Sequence, residues 1–169
     1  MGHKDLSNFG KLFSEFKTAI LSDVDIRKML YYDSPDALSR EAPSIETVSS
    51  YIFNAPLVES GIEDFGRNTY IMIDLARIDT DTEDEDPSKD IIAVFAITPV
   101  TTFTNWMLDD NKIRILEITT RIVNKIDNHK FSPSGKAYIP NIERTIISKQ
   151  LFGYYIRVVI TDNQVQEEF

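Results

Sequence analysis

Apolar residues recur at three-to-four spacing from Asp5 to Leu21, where Leu6, Phe9, Leu12 with Phe13, Phe16 and Ile20 fall on one side. That spacing predicts an amphipathic helix, with Asp5 or Ser7 as its cap and Gly10 as a weak point. A second, shorter helix is expected over Asp23–Tyr31, ending before Asp33-Ser34-Pro35. The stretches Ser34–Leu38 and Glu41–Ser44 read as turns. Ser44, followed by Thr47 and an apolar run, allows a short helix to Ile52, which Asn54-Ala55-Pro56 stops.

The period then changes. From Thr69, Ile71, Ile73 and Leu75 alternate with Tyr70, Met72, Asp74 and Ala76, the pattern of a half-buried strand. Asp90–Thr98 is apolar on both faces and is expected at the centre of its sheet. Between them runs Asp79-Thr-Asp-Thr-Glu-Asp-Glu-Asp-Pro-Ser, a hairpin loop whose self-repulsion predicts mobility. Helical spacing returns over Lys112–Asp127. There Ile115, Ile118, Ile122 and Ile126 form a stripe thickened by Leu116 and Val123, Arg114, Glu117, Arg121 and Lys125 take the wet side, and Asp109 or Asp110 caps the start. Phe131–Gly135 is a turn, Asn141–Lys149 a short strand, and Tyr154–Thr161 a strand introduced by Gly153.

Two antiparallel hairpins with a helix between them predict an α+β fold. Its antiparallel or mixed sheet has about four strands, packed by one long helix and preceded by an N-terminal helical region. The expected division is residues 1–53 for the helical region, 54–162 for the α+β core with its acidic loop 79–90, and 163–169 for a polar tail. No internal repeat of fixed period is present.

Composition narrows the function. An apolar fraction of 42% and a charged fraction of 27% are globular values, and 169 residues suffice for a core without staples. The chain has no cysteine, which removes disulfides, thiolate nucleophiles and Cys-type metal sites. Met1–Lys11 contains no apolar segment of the kind found in a signal peptide. Eighteen Lys and Arg stand against 27 acids, for a net charge of −9. That balance disfavours general nucleic-acid binding, which begins with phosphate neutralisation.

Candidate chemistry is sparse. Asp79, Asp81, Glu83 and Asp90 fall at positions 1, 3, 5 and 12 of a calcium-loop spacing, but position 6 is Asp84, where that loop needs Gly. His3 is near the terminus, and His129 lies at a helix end where a cation complements the dipole. With six glycines in all, no Gly-rich phosphate loop, H-E-x-x-H or G-x-S-x-G motif occurs. Neither a catalytic residue, a cofactor site nor a metal site is assigned. Phe103-Thr-Asn-Trp106, between strand and helix, either plugs the core edge or anchors a subunit interface. Tyr31-Tyr32 and Tyr154-Tyr155 pose the same choice, and Arg157 in mid-strand suits an ion pair between strands or subunits.

Several features together carry a resemblance. Arg114 stands in the first turn of the long helix, in Lys112-Ile-Arg-Ile-Leu-Glu-Ile, with Trp106 upstream. The helix runs into Ile126-Asp127 and a Gly-containing turn, and Phe152-Gly153-Tyr154 opens the last strand. Earlier come Asn68-Thr-Tyr-Ile-Met-Ile-Asp, the apolar strand Asp90–Thr98, and Lys28-Met-Leu-Tyr-Tyr-Asp-Ser-Pro-Asp-Ala-Leu. Over Ile26–Asp162 the chain resembles tailed-bacteriophage neck proteins of the tail-terminator or head–tail joining kind, from which its long N-terminal helical region departs.

The resemblance implies a structural virion protein assembled in the host cytoplasm. Its copies would form a ring, usually hexameric, that caps the tail tube or sheath and meets the head connector, with DNA passing through unread. The candidate interface is then the acidic loop (Asp79, Asp81, Glu83, Asp84, Glu85, Asp86), Phe103, Trp106, Arg114, Arg157 and Phe169 in the tail. The alternative is a small non-viral adaptor acting through one apolar patch. Deleting residues 80–88 is expected to leave cooperative thermal unfolding intact by circular dichroism. Loss of cooperativity would contradict the strand–loop–strand reading.

Overall fold

A computed structural model describes residues 7–54, 68–80, 91–131 and 135–162. Its centre is a five-stranded mixed sheet built from β1 (Ile52–Asn54), β2 (Thr69–Thr80), β3 (Ile91–Thr102), β4 (Ala137–Ile146) and β5 (Leu151–Asp162), in the order β1-β2-β3-β5-β4. All neighbours are antiparallel except β1 and β2. The α+β class and the central place of the apolar strand β3 match the sequence pattern.

The fifth strand is a departure from it. β1 is three residues long and follows directly on a helical turn, so no alternation marks it. Its register with Ile71–Ile73 makes Ile52 a strand residue and not the end of a helix. Strand ends also move: β5 is longer than expected at both ends, and β4 spans Ala137–Ile146 where Asn141–Lys149 was expected. β3 continues through Pro99 to Thr102, although Pro99 has no N–H for a ladder. Pairing with β5 skips Thr98 and Pro99 and resumes at Val100↔Gly153. Gly153 makes that close approach possible, since a Cβ there would collide with the Pro99 carbonyl oxygen.

A bulge in β2 keeps the core apolar. Ile71, Ile73 and Leu75 lie opposite Pro99, Ile97 and Phe95, and strict alternation would next send Arg77 inward. The register shifts between Leu75 and Arg77 instead, setting Arg77 opposite Val94 and Ile78 opposite Ala93. Ile78 thereby joins the core and Arg77 stays on the other face.

The helices are α1 (Ser7–Leu21), α2 (Val24–Tyr31), the single turn α3 (Ile45–Val48) and α4 (Arg114–Ile126). Two long helices therefore pack the sheet, where one was expected. Phe9, Leu12, Phe16 and Ile20 of α1 are fully buried. Phe13 and Phe16 meet Phe95 of β3 edge to face at 5.5 and 5.1 Å, a favoured aromatic geometry. Ile118, Ile122 and Ile126 of α4 join them over Ile73, Phe95, Ile97, Ile156, Val158 and Ile160. A smaller cluster of Tyr70, Met72, Val100, Ile147 and Leu151, with Phe53 against it, forms separately.

Side chains cap the starts of α2 and α3. Asp23 accepts from the N–H groups of Asp25 and Ile26, and Ser44 accepts from Thr47. The expected cap of α4 does not form. Asp109–Asn111 make a 3₁₀ turn in which Asp110 and Asn111 adopt positive φ, and the Arg114 N–H donates to the Trp106 carbonyl at 2.9 Å.

Arg114 is the main internal surprise. Placed on the wet side by its charge, it is 0% exposed. Its guanidinium donates from Nε to the Asn105 carbonyl (3.0 Å), from Nη1 to those of Met29 (2.7 Å) and Tyr32 (2.8 Å), and from Nη2 to that of Ser34 (2.8 Å). Burial pulls its pKa down, opposed by the nearby Asp33 carboxylate. Asp33 in turn accepts from Asn68 (2.7 Å) and Asn105 (3.2 Å). Asn105 also donates to Thr69, whose hydroxyl meets that of Thr101 at 2.9 Å. Arg114 and Asn105 together thus join the end of α2, the start of α4 and the adjoining ends of β2 and β3. Arg114→Met would strand four carbonyls and is expected to cost at least about 3 kcal/mol in urea denaturation. Arg114→Lys is also expected to destabilise, because an ammonium cannot span the same fork. A loss below about 1 kcal/mol for the methionine variant would contradict this role.

Candidate interaction surface

Those residues singled out by sequence that the structure describes separate into four places. Asp81, Glu83, Asp84, Glu85, Asp86 and Phe169 lie outside the described residues. Asp79 is in β2 rather than in a loop, opposite Ile92, and its carboxylate meets Arg77 at 2.7 Å. Both side chains are largely exposed, so the pair adds little stability. Arg114 is internal and unavailable to a partner. Arg157 is exposed in mid-β5 between Ala96 and Asn141, with no ion pair among the described residues.

Phe103 and Trp106 remain, and they come together. Phe103 is 70% exposed and Trp106 is half-buried. Both rings sit edge to face with Phe152 of β5, at 6.4 and 6.0 Å. The Phe103 N–H donates to the Gln150 carbonyl at 2.8 Å, fixing this segment against the β4–β5 turn. Met107 is exposed beside them and bridges Ile113 at the foot of α4.

This cluster continues along β4. Because β4 ends the strand order, its outer edge is unpaired among the described residues. Ile146 lies opposite Phe152, Arg144 opposite Tyr154 and Ile142 opposite Ile156, so the three share the helix-side face. Ile146 is 57% exposed, and Ile142 is exposed as well. Across from them, Leu116, Thr119, Thr120, Val123 and Asn124 of α4 form the other wall of a groove of about 260 Å³ with Tyr154 in it. Leu116, expected to thicken the buried stripe, is exposed, and Val123 is half-buried. The α4 wall carries no charge, and Arg144 forms no ion pair among the described residues.

Sequence reading missed Leu116, Ile142, Ile146 and Phe152. The alternation Ile142-x-Arg144-x-Ile146 marks a strand, but only the strand order reveals that no helix covers that part of it. Scattered apolar exposure is normal, whereas a contiguous strip rimmed by polar groups marks a binding surface.

Other features are weaker. His129 is exposed and meets Phe131 edge to face at 4.6 Å. Arg121 ties α4 to α2 through Asp25 (2.7 Å) and Asp23 (3.3 Å). Among the described residues, no three His, Asp or Glu side chains are grouped to hold a metal ion, and no helix is long and apolar enough to cross a membrane. The chain matches no known family model and no curated protein.

Proposed function

We propose that this chain is a structural virion subunit that assembles into a ring, hexameric in the expected case, at the neck of a tailed bacteriophage. The ring caps the tail tube or sheath and joins it to the head connector. The observation that carries this reading is the apolar strip at one end of the sheet, from Phe103, Trp106 and Met107 through Phe152 and Ile146 to the Ile142–Leu116 groove. Such a surface supplies aromatic anchors and desolvated area for protein contacts.

The strip adjoins the β4 edge of the sheet, and the other edge is formed differently, by β1 and, among the described residues, the part of β2 beyond its register with β1. Two unlike edges suit head-to-tail contacts, which close into rings when the rotation permits. The net charge of −9 agrees with a lumen through which DNA slides without being held, since like charges repel.

Light scattering with negative-stain imaging of the purified chain tests the reading. The expected result is a closed ring, formed alone or on mixing with tail-tube or connector protein. A chain that stays monomeric and ignores both would contradict it, and would favour an adaptor acting on a different partner.

A further inference from the structure

We infer that the basic β4 side of one copy receives the acidic α3–β1 side of the next, so that a division of charge within the chain orients the copies head to tail. The inference rests on the self-assembly reading above and names the surface that meets the strip.

Charge is unevenly distributed along the sequence. Residues 112–157 hold nine Lys and Arg against three acids, whereas residues 1–111 hold nine against 21. The fold turns that bias into two unlike sides. Residues 112–157 make α4, β4 and most of β5, and so take the β4 side of the sheet. The earlier described residues make the other three helices, β1, β2 and β3, with β1 at the opposite edge.

Ion pairing within the chain sharpens the contrast. Lys130, Lys136, Arg144, Lys149 and Arg157 are all exposed, and none forms an ion pair among the described residues. On the other side Lys28 pairs with Asp25, Arg40 with Asp36 and Arg77 with Asp79, and Arg27 donates to the carbonyls of Leu21 and Pro43. Glu41 and Glu46 are exposed there with no ion pair among the described residues.

Both sides combine charge with apolar surface. Arg144 stands between exposed Ile142 and Ile146, and Lys149 lies in the turn that follows. Glu46 adjoins Ile45, which is 52% exposed on α3, and Tyr31 is exposed at the end of α2. The Tyr32 hydroxyl donates to the Glu41 carbonyl, which keeps Glu41 near that end. Because α3 leads through one turn into β1, this surface lies at the edge opposite β4. Four strand spacings, about 19 Å, separate β1 from β4, so the two surfaces of one copy cannot meet. A second copy brings them together, and the contact repeats around a ring. Duplex DNA is a poorer match, since its phosphates would cover Ile142 and Ile146 with no apolar partner.

The test measures assembly of the full chain by light scattering across a concentration series. A chain carrying Arg144→Glu and Lys149→Glu, and one carrying Glu41→Lys and Glu46→Lys, are each expected to need at least about tenfold more protein for half-assembly. Mixed in equal amounts, the two should assemble within about threefold of the parent concentration, because each reversed side then meets its opposite. Ile45→Asp and Ile146→Asp should each weaken assembly about tenfold, and deleting residues 163–169 should leave it unchanged. Thermal melts by circular dichroism confirm that each variant folds. If the β4-side variants disrupt assembly while Ile45→Asp and the Glu41 and Glu46 reversal do not, or if only the deletion does, something other than the α3–β1 side fills the strip. Either result overturns this inference and leaves the assembly reading standing. So does unchanged assembly of every variant, including one in which the β4-side reversal instead abolishes retention of duplex DNA. A chain monomeric at every concentration overturns the inference too, and one that also ignores tail-tube and connector protein overturns both.

Discussion

One buried cation organises the joint between the helical layer and the sheet. Arg114 brings four backbone carbonyls from two remote stretches, 29–34 and Asn105, onto a single planar group. A carbonyl buried without a donor is costly, and three of these carbonyls lie where α2 ends and the chain turns. The guanidinium serves where a helix cap would otherwise be needed. Burying the charge is unfavourable in itself, so the site is over-determined around it, with Asp33, Asn105, Thr69 and Thr101 forming a second ring of hydrogen bonds.

That joint also sets the apolar strip. Asn105 is held between Arg114 and Thr69, and its neighbours Phe103 and Trp106 are thereby turned toward Phe152. The Arg114 N–H on the Trp106 carbonyl starts α4 at a fixed point, which places Leu116 and Val123 across from Ile142. The internal staple and the external surface belong to one piece of the structure. A variant at Arg114 therefore disturbs the strip even though the residue never reaches solvent.

The two periods in the sequence revealed the long helices, the hairpins and the central place of β3, because each is long enough for its spacing to show. β1 stayed hidden because three residues have no period. Pro99 hid the end of β3, where a glycine on the neighbouring strand provides the needed closeness. Arg114 was misread because charge was weighed above position: 114, 118, 122 and 126 follow one another at helical spacing, and the last three are the core isoleucines. Phe103 and Trp106 were legible as aromatics outside any regular element. The residues that extend them into a surface were not, since exposure of Ile142 and Ile146 depends on which strand lies last in the sheet.

Hydrogen exchange, compared between dilute protein and protein at assembling concentration, tests most directly whether this end of the sheet is the surface through which the chain works. The account predicts slower exchange on assembly at residues 103–107 and 142–146, with amides around Arg114 protected equally in both states. Unchanged exchange at β4 and the Phe103–Met107 segment, with new protection elsewhere, would contradict it.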